Sequence, residues 1–264
     1  MKATVFLGGG RITGALLAGL RLAGYRQPII VHDRHPQKLR QLERLYGVRT
    51  ERDLQSAVEQ AQLLVAAVRP DSLKDLLQEI GDVDRPLTAV SLVAGVALAG
   101  LRKKLGARVR WSRAMPSPAC RTGRGLTALA FERGFSAARK REIREFFARV
   151  GPVIEVPESK FDAFTVTYSC SHGYHALATL TAAAERLGLD RKTALLAAAH
   201  ALADGILGWR EGTVSLGDLL HEAATPGGIA ATVMKSMDAA GYQQAVRSGL
   251  TAGLKRTRKN ARQV

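Results

Sequence analysis

The sequence predicts an α/β fold in which a parallel, helix-covered sheet is followed by an all-helical half. Three observations carry this. The first half alternates short β-like runs with amphipathic helices, the pattern of βαβ units on a parallel sheet. A glycine cluster, Gly8-Gly9-Gly10, directly follows the first of those runs. Beyond Pro157 the strand-like runs disappear and alanine-rich helical stripes take over.

Taken in order, Thr4 to Leu7 reads as a strand and Gly14 to Ala23 as the helix after it, ended by Gly24. Pro28 to His32 is a second strand, followed by a helix over Gln37 to Tyr46 closed by Gly47. Leu63 to Val68, Leu87 to Val93 and Arg108 to Ser112 supply three more strands. Leu126 to Phe131 and Val153 to Val156 follow, with a helix over Ala137 to Val150 between them. Right-handed crossovers would cover both faces of such a sheet with helices. In the second half, helices are expected at Ala176 to Leu187, Lys192 to Trp209, Thr232 to Ala239 and Gln243 to Lys255. Leu195, Ala198, Leu202, Ile206 and Trp209 recur at helical spacing. A helical half of this size has a limited core of its own, so a second subunit is expected to complete it; a self-contained bundle is the alternative. The expected domains are therefore 1–156 and 157–264.

Composition narrows the function classes. The 264 residues carry 39 Lys+Arg against 23 Asp+Glu, a formal charge of +16. That balance suits anionic small molecules as well as nucleic acid. The arginines are dispersed, aromatic residues are 5%, and no recognition motif accompanies the charge, so nucleic acid is not the expected partner. The one dense run, Lys255 to Arg262, is expected to be the solvated end of a helix. Two cysteines, Cys120 and Cys170, are too few for a disulfide framework. No secretory signal and no apolar run of about 20 residues is evident, so a soluble, cytoplasmic protein is expected, away from membranes.

The glycine cluster sits where a dinucleotide would lie. Gly8 permits the tight turn after the strand, and Gly10 lets the backbone approach a pyrophosphate held at a helix N-terminus with Arg11 and Ile12. Thr13 replaces the third glycine of the G-x-G-x-x-G pattern, and a small residue there still lets helix and sheet pack. The first half is thus expected to be a Rossmann-like NAD(P)-binding domain. An acid at the end of the second strand ordinarily bonds the ribose of NAD, whereas an arginine accommodates the 2′-phosphate of NADP. Here Asp33 and Arg34 stand together, with His35 and Lys38 beside them. The added positive charge favours NADPH as the cofactor, with NADH the alternative.

Several short segments, in order, resemble the pyrroline-5-carboxylate reductase family. Phe6-Leu7-Gly8-Gly9-Gly10 resembles its nucleotide loop, and Asp33-Arg34 stands where the family often has Asn-Arg. Ala67-Val68-Arg69-Pro70 resembles A-V-K-P, and Ser91-Leu92-Val93-Ala94-Gly95-Val96 resembles S-x-x-A-G-V. Arg113-Ala114-Met115-Pro116-Ser117-Pro118 resembles R-x-M-P-N-T, with Gly125-Leu126-Thr127-Ala128-Leu129 continuing it. Thr225-Pro226-Gly227-Gly228 resembles S-P-G-G.

The resemblance implies NADPH on the N-terminal domain, a helical domain joining two subunits, and a substrate between the domains. It implies NADPH-dependent reduction of a cyclic imine, 1-pyrroline-5-carboxylate to L-proline, in proline biosynthesis. The partners it implies are a small anionic imine and a second copy, as a dimer or a multiple of dimers. Val68, Arg69, Pro70, Ala94 and Gly95 would line the cofactor. Met115, Ser117, Ser171, Thr225, Pro226, Gly227 and Gly228 would meet the substrate.

The departures concentrate at the substrate. The family's G-S-G-P-A-Y is here Ser169-Cys170-Ser171-His172-Gly173-Tyr174. The two threonines after S-P-G-G are replaced by Ile229 and Ala230. Reduction of a different imine or small carbonyl compound, or cofactor binding with little catalysis, therefore stands as the alternative. His172 is a candidate proton donor, with helix capping the competing role. His172 and His175 could share a helix face, but no third ligand accompanies them and no metal is expected. Cys170 reads as a reactive thiol or a small buried residue, and Trp111 and Trp209 as core or interface residues. Thr225 is expected near a helix N-cap with Pro226 at its first position, offering backbone N–H groups to a carboxylate.

Overall fold

The computed structural model describes residues 3–102, 104–169 and 171–261. The chain divides into two compact units, 1–168 with 252–264, and 169–251.

The larger unit is built on an eight-stranded sheet. Its strands are β1 (Ala3–Leu7), β2 (Ile29–His32), β3 (Arg49–Thr50), β4 (Ala61–Ala66), β5 (Leu87–Ser91), β6 (Val109–Pro116), β7 (Thr127–Phe131) and β8 (Val153–Glu155). Their spatial order is β3-β2-β1-β4-β5-β6-β7-β8, parallel from β3 to β6, with β7 antiparallel to β6 and β8 following β7. The helices are α1 (Arg11–Leu22), α2 (Pro36–Tyr46), α3 (Leu54–Glu59), α4 (Pro70–Ile80), α5 (Leu98–Leu101), α6 (Ala137–Ala148) and α7 (Glu158–Thr167).

Strand alternation produces two cores. Val5, Leu7, Leu64, Ala66, Ala89 and Trp111 face one side, where α3, α4 and α5 cover them. Phe6, Val65, Val90, Ala114 and Leu129 face the other, under α1, α2 and α6. Strands buried on both faces read as continuous apolar runs, which is why they were legible in the sequence. Gly19 brings α1 against the 3-10 turn Pro118–Thr122 so closely that a Cβ would strike the Cys120 carbonyl. Trp111 is buried, as expected of a core residue, and so is Cys120.

The sheet also claims residues beyond the change of texture at Pro157. Phe161 of α7 buries itself against Ala128 and Ala130 of β7. Arg113 of β6, 1% exposed, reaches α7 with both guanidinium ends, 3.2 Å to Glu158 and 2.6 Å to Asp162, and stacks over Phe161. Compactness therefore divides the chain after Tyr168, rather than at 156 where the strand-like texture ends.

The second unit contains α8 (Ser171–Arg186), α9 (Arg191–Glu211), α10 (Leu216–Ala223), α11 (Ile229–Ala239) and the start of α12 (Tyr242–Ala261). Among its described residues only Thr181, Ala194 and Ala198 are buried. Of the expected stripe, Ala198 is buried, whereas Leu195, Ile206 and Trp209 are exposed. No helix of the described residues is long and apolar enough to cross a membrane.

Several boundaries differ from the expected ones. The first helix starts at Arg11, because Gly10 can cap it in an extended conformation. The strand expected at Leu63 to Val68 lies at Ala61–Ala66, and β6 runs on to Pro116 through its pairing with β7. α11 starts at Ile229 with Gly228 as its N-cap, so Thr225 is not the cap and Pro226 not the first helical residue. Pro226-Gly227 instead forms a turn closed by Gly228 N–H to the Thr225 carbonyl at 2.9 Å, with Gly227 at φ +77°. Pro-Gly favours this type II turn, and that φ cannot belong to a helix. The basic tail is not wholly solvated. Lys255, Arg256, Arg258 and Lys259 are exposed, but Thr257 and Asn260 are buried, since a helix lying on a surface hides one stripe and solvates the rest. Arg262 lies outside the described residues.

Arg113→Ala should lower stability by about 2–3 kcal/mol in chemical denaturation, because it strands two partly buried carboxylates and uncovers Phe161. Arg139→Ala, which breaks an exposed pair with Glu142, should cost under about 0.5 kcal/mol. Equal losses from the two would refute the structural role given to Arg113.

Candidate active site

The parallel strands β1, β2, β4, β5 and β6 end along one edge, and the order reverses between β1 and β4. Open α/β sheets bind ligands in such a crevice. At the end of β1, Gly8 takes φ +109°, and a Cβ on it would lie 2.5 Å from the Ala67 carbonyl oxygen. Its N–H donates to the His32 carbonyl at 2.8 Å. Thr13, read from the sequence only as a small residue, donates its hydroxyl to the Gly8 carbonyl at 2.6 Å. The Gly9 N–H donates to Asp33 Oδ2 at 2.8 Å. The loop is thus pinned at three points.

Gly10 caps α1 with no side-chain bond, and nothing of the protein stands within 4 Å of where its Cβ would be. No acidic residue occupies the first turn of α1. Its N–H groups and positive dipole end suit an anion. Arg11 is exposed there, while Ile12 packs partly into the core.

Asp33, at the end of β2, is turned inward. Its Oδ2 accepts from Gly9 and lies 3.5 Å from Lys38 Nζ; its Oδ1 accepts from the His35 N–H and stands 2.9 Å from His35 Nδ1. Burial pushes its pKa up, but hydrogen bonds from the Gly9 and His35 N–H groups, the His35 ring and the Lys38 charge outweigh that and hold it below the ordinary value. Beside it, Arg34, His35, Gln37, Arg40 and Arg52 line a shallow concavity. Arg40 and Arg52 were missed in the sequence. Arg52 follows a strand of only two residues, too short to register as a strand.

The Ala67 N–H donates to the Leu7 carbonyl at 2.8 Å, which sets Val68 against Gly8. Arg69 is the extended, exposed N-cap of α4 and Pro70 its first residue. After β5, the Leu92 N–H donates to the Ala66 carbonyl at 2.9 Å, leading into Ala94 and Gly95. Met115, at the end of β6, packs partly against Ala128, Ala130 and Phe161. Ser117 is buried, and its hydroxyl accepts from the Ala119 N–H at 3.0 Å.

The other predicted residues lie in unit 169–251. Ser171 and His172 open α8 on its exposed surface; the Ser171 and Ser169 hydroxyls are 2.7 Å apart, and the His172 N–H donates to the Ser169 carbonyl at 3.0 Å. Thr225 to Gly228 form the turn before α11. Ile229 is 86% exposed at the start of that helix. Cys170 lies outside the described residues. No group of three or more metal-ligating side chains occurs among the described residues.

Residues 4–95 match the family model "NADP oxidoreductase coenzyme F420-dependent", and residues 158–260 match "Pyrroline-5-carboxylate reductase dimerisation". The chain is 32% identical to a pyrroline-5-carboxylate reductase of Thermus thermophilus, over 95% of each chain. A solved pyrroline-5-carboxylate reductase of Coxiella burnetii is 26% identical, with a TM-score of 0.85 over 98% of both chains. The Plasmodium falciparum pyrroline carboxylate reductase, solved with NADP bound, is 18% identical and shares the fold, with a TM-score of 0.86 over 98% of both chains.

The inward bonds of Asp33 set a pH signature. Its folded pKa is lowered, so its stabilising contribution is present above the unfolded value and is lost as pH falls through the folded one. The stability gap between the parent and Asp33→Asn should be widest near neutrality and close as pH falls below about 4. A gap that stays constant down to pH 3 would contradict the bonding described for Asp33.

Proposed function

Because the chain belongs to the pyrroline-5-carboxylate reductase family, we propose that it reduces 1-pyrroline-5-carboxylate to L-proline with NADPH. The pinned glycine loop beside a basic concavity, at the strand edge where the sheet order reverses between β1 and β4, is the observation that carries this. The residues fit the cofactor. Gly8 leaves no room for a side chain, so backbone approaches backbone there. The open N-terminus of α1, with Gly10, Arg11 and Ile12, takes the pyrophosphate. Arg34, aided by Arg40 and Arg52, takes the 2′-phosphate, which guanidinium recognises well. Val68, Arg69, Pro70, Ala94 and Gly95 border the same edge. When bound, NADPH supplies the hydride; the protein orients the reacting carbon and excludes water.

The substrate reading, taken unit by unit, assigns Met115 and Ser117 in the larger unit, and Ser171 and the Thr225 to Gly228 turn in unit 169–251, to binding of the anionic imine. Free N–H groups of Ile229 and Ala230 at the start of α11 suit its carboxylate. Reduction also needs a proton on the imine nitrogen. His172 is the titratable group nearest in sequence to the Ser171 segment, and we assign it that role. A second reading, reduction of another imine, is favoured by Ile229 and Ala230, which can offer no hydroxyl to the ring.

Steady-state NADPH oxidation with 1-pyrroline-5-carboxylate, with proline measured as product, tests the assignment. The parent should turn over, and His172→Ala should lower kcat at least about tenfold. Ala230→Thr should raise kcat more than it lowers KM, because a donor that strengthens in the transition state acts on the chemical step. No proline from the parent, with turnover of other cyclic imines, would establish the second reading instead.

The region matched by the dimerisation model points to oligomerisation, and we assign a dimer or a multiple of one. Among the described residues, seventeen of the twenty large exposed apolar side chains lie between Tyr174 and Val246, within the second unit. So much apolar surface is an interface rather than a solvated face. Sedimentation at micromolar concentration should give a multiple of the dimer mass; a monomer would refute this.

A further inference from the structure

We propose that the last two turns of α12 clamp the loop between β5 and α5, making Thr257 and Asn260 positioning residues for the cofactor. Given NADPH at the strand edge, as proposed above, this loop borders it through Ala94 and Gly95. The loop is tied at its start by the Leu92 N–H to the Ala66 carbonyl and the Val93 N–H to Ser91 Oγ at 3.2 Å. At its far end the Leu98 N–H donates to Glu158 Oε1 at 2.9 Å. Between those ties its shape is set by α12. Asn260 donates its side-chain amide to the Ala94 carbonyl at 3.4 Å, across 166 residues of chain. A Cβ on Gly95 would lie 2.5 Å from the Thr257 carbonyl oxygen and 2.9 Å from its Cα, so the two backbones are in contact. Gly95 also takes φ +83°, which disfavours any side chain there.

Thr257 and Asn260 are 5% and 8% exposed, while the cations between and beside them remain in solvent. Asn260 is thus a buried polar group whose amide is spent on a loop carbonyl, and losing it leaves that carbonyl partly buried and unpaired. Thr257 and Asn260 are three residues apart, on one face of the helix. Gly253, one turn before Thr257, lies so close to Val166 of α7 that a Cβ there would sit 3.3 Å from its Cγ1, so the clamp rests on a second helix. The chain leaves this unit after Tyr168 and re-enters it at Ala252, so the clamp is supplied only after the helical unit has been traversed.

The test is NADPH titration by cofactor fluorescence on the full chain. Asn260→Ala and Asn260→Asp should each raise the dissociation constant roughly fivefold to tenfold, the size of one hydrogen bond. KM for NADPH should rise in step while kcat at saturating NADPH stays within about twofold, a split that general loss of stability does not produce. Ile143→Val, in the opposite core, should lower the melting temperature without changing NADPH affinity. In the parent, hydrogen exchange should slow on NADPH binding both in residues 92–97 and in 252–261, which needs no variant to fold. Parent-like affinity in both Asn260 variants, or a tail whose exchange ignores NADPH, overturns the clamp. A parent that binds no NADPH at all overturns the cofactor site itself, a separate failure.

Discussion

The backbone contact of Gly8 with Ala67 is the constraint on which the strand edge depends. It holds the loop after β1 against the start of the segment after β4, the two strands between which the crevice opens. A side chain at Gly8 would push the two apart. Two more of the loop's polar groups are then satisfied internally, the Gly8 carbonyl by Thr13 and the Gly9 N–H by Asp33. What is left unsatisfied by protein side chains is the N-terminus of α1, which faces outward with its dipole. Asp33 is consumed in building this loop. Its inward bonds, and the basic residues beyond it, turn a position that ordinarily marks NAD into one that suits a 2′-phosphate.

Stability is distributed unevenly. The sheet-bearing unit has a core on each face and a buried Arg113 that fastens α7 to β6. Among the described residues, the unit 169–251 buries three and carries seventeen of the twenty exposed large apolar side chains. Such a unit cannot offset its conformational entropy alone. The alanines that let helices approach closely thus make sense only against further apolar surface, in line with the oligomerisation to which the dimerisation model over residues 158–260 points.

Much of this was legible in the sequence, and the exceptions have physical causes. Long strands such as Ala61–Ala66 and Leu87–Ser91 are buried on both faces and announce themselves as apolar runs. Gly8 stands out because only glycine fits there, whereas Gly10, with no protein atom near its Cβ position, is legible only through the motif it completes. β3, with two residues, carries no periodicity, so Arg52 had no visible reason to stand beside Arg34. Thr13 reads as small, and its hydroxyl bond is invisible without the turn it closes. Thr225 and Pro226 carry cap and first-turn signals, but the competing Pro-Gly turn won. The tail reads as charged because its five cations hide the two uncharged residues that pack.

The substrate side is the least constrained by the chain's own geometry. Ile229 and Ala230 remove hydroxyls and leave the backbone N–H groups of a helix start, which recognise charge more than shape. The cofactor side is the reverse, with several side chains and backbone groups converging on one edge. Calorimetric titration of the parent with NADPH and with NADH therefore tests the central claim most directly. One NADPH per chain, bound at least about tenfold more tightly than NADH, is the predicted result, the difference a charge-assisted phosphate contact makes. Equal affinities, or tighter NADH, would contradict it and return Asp33 to the ribose.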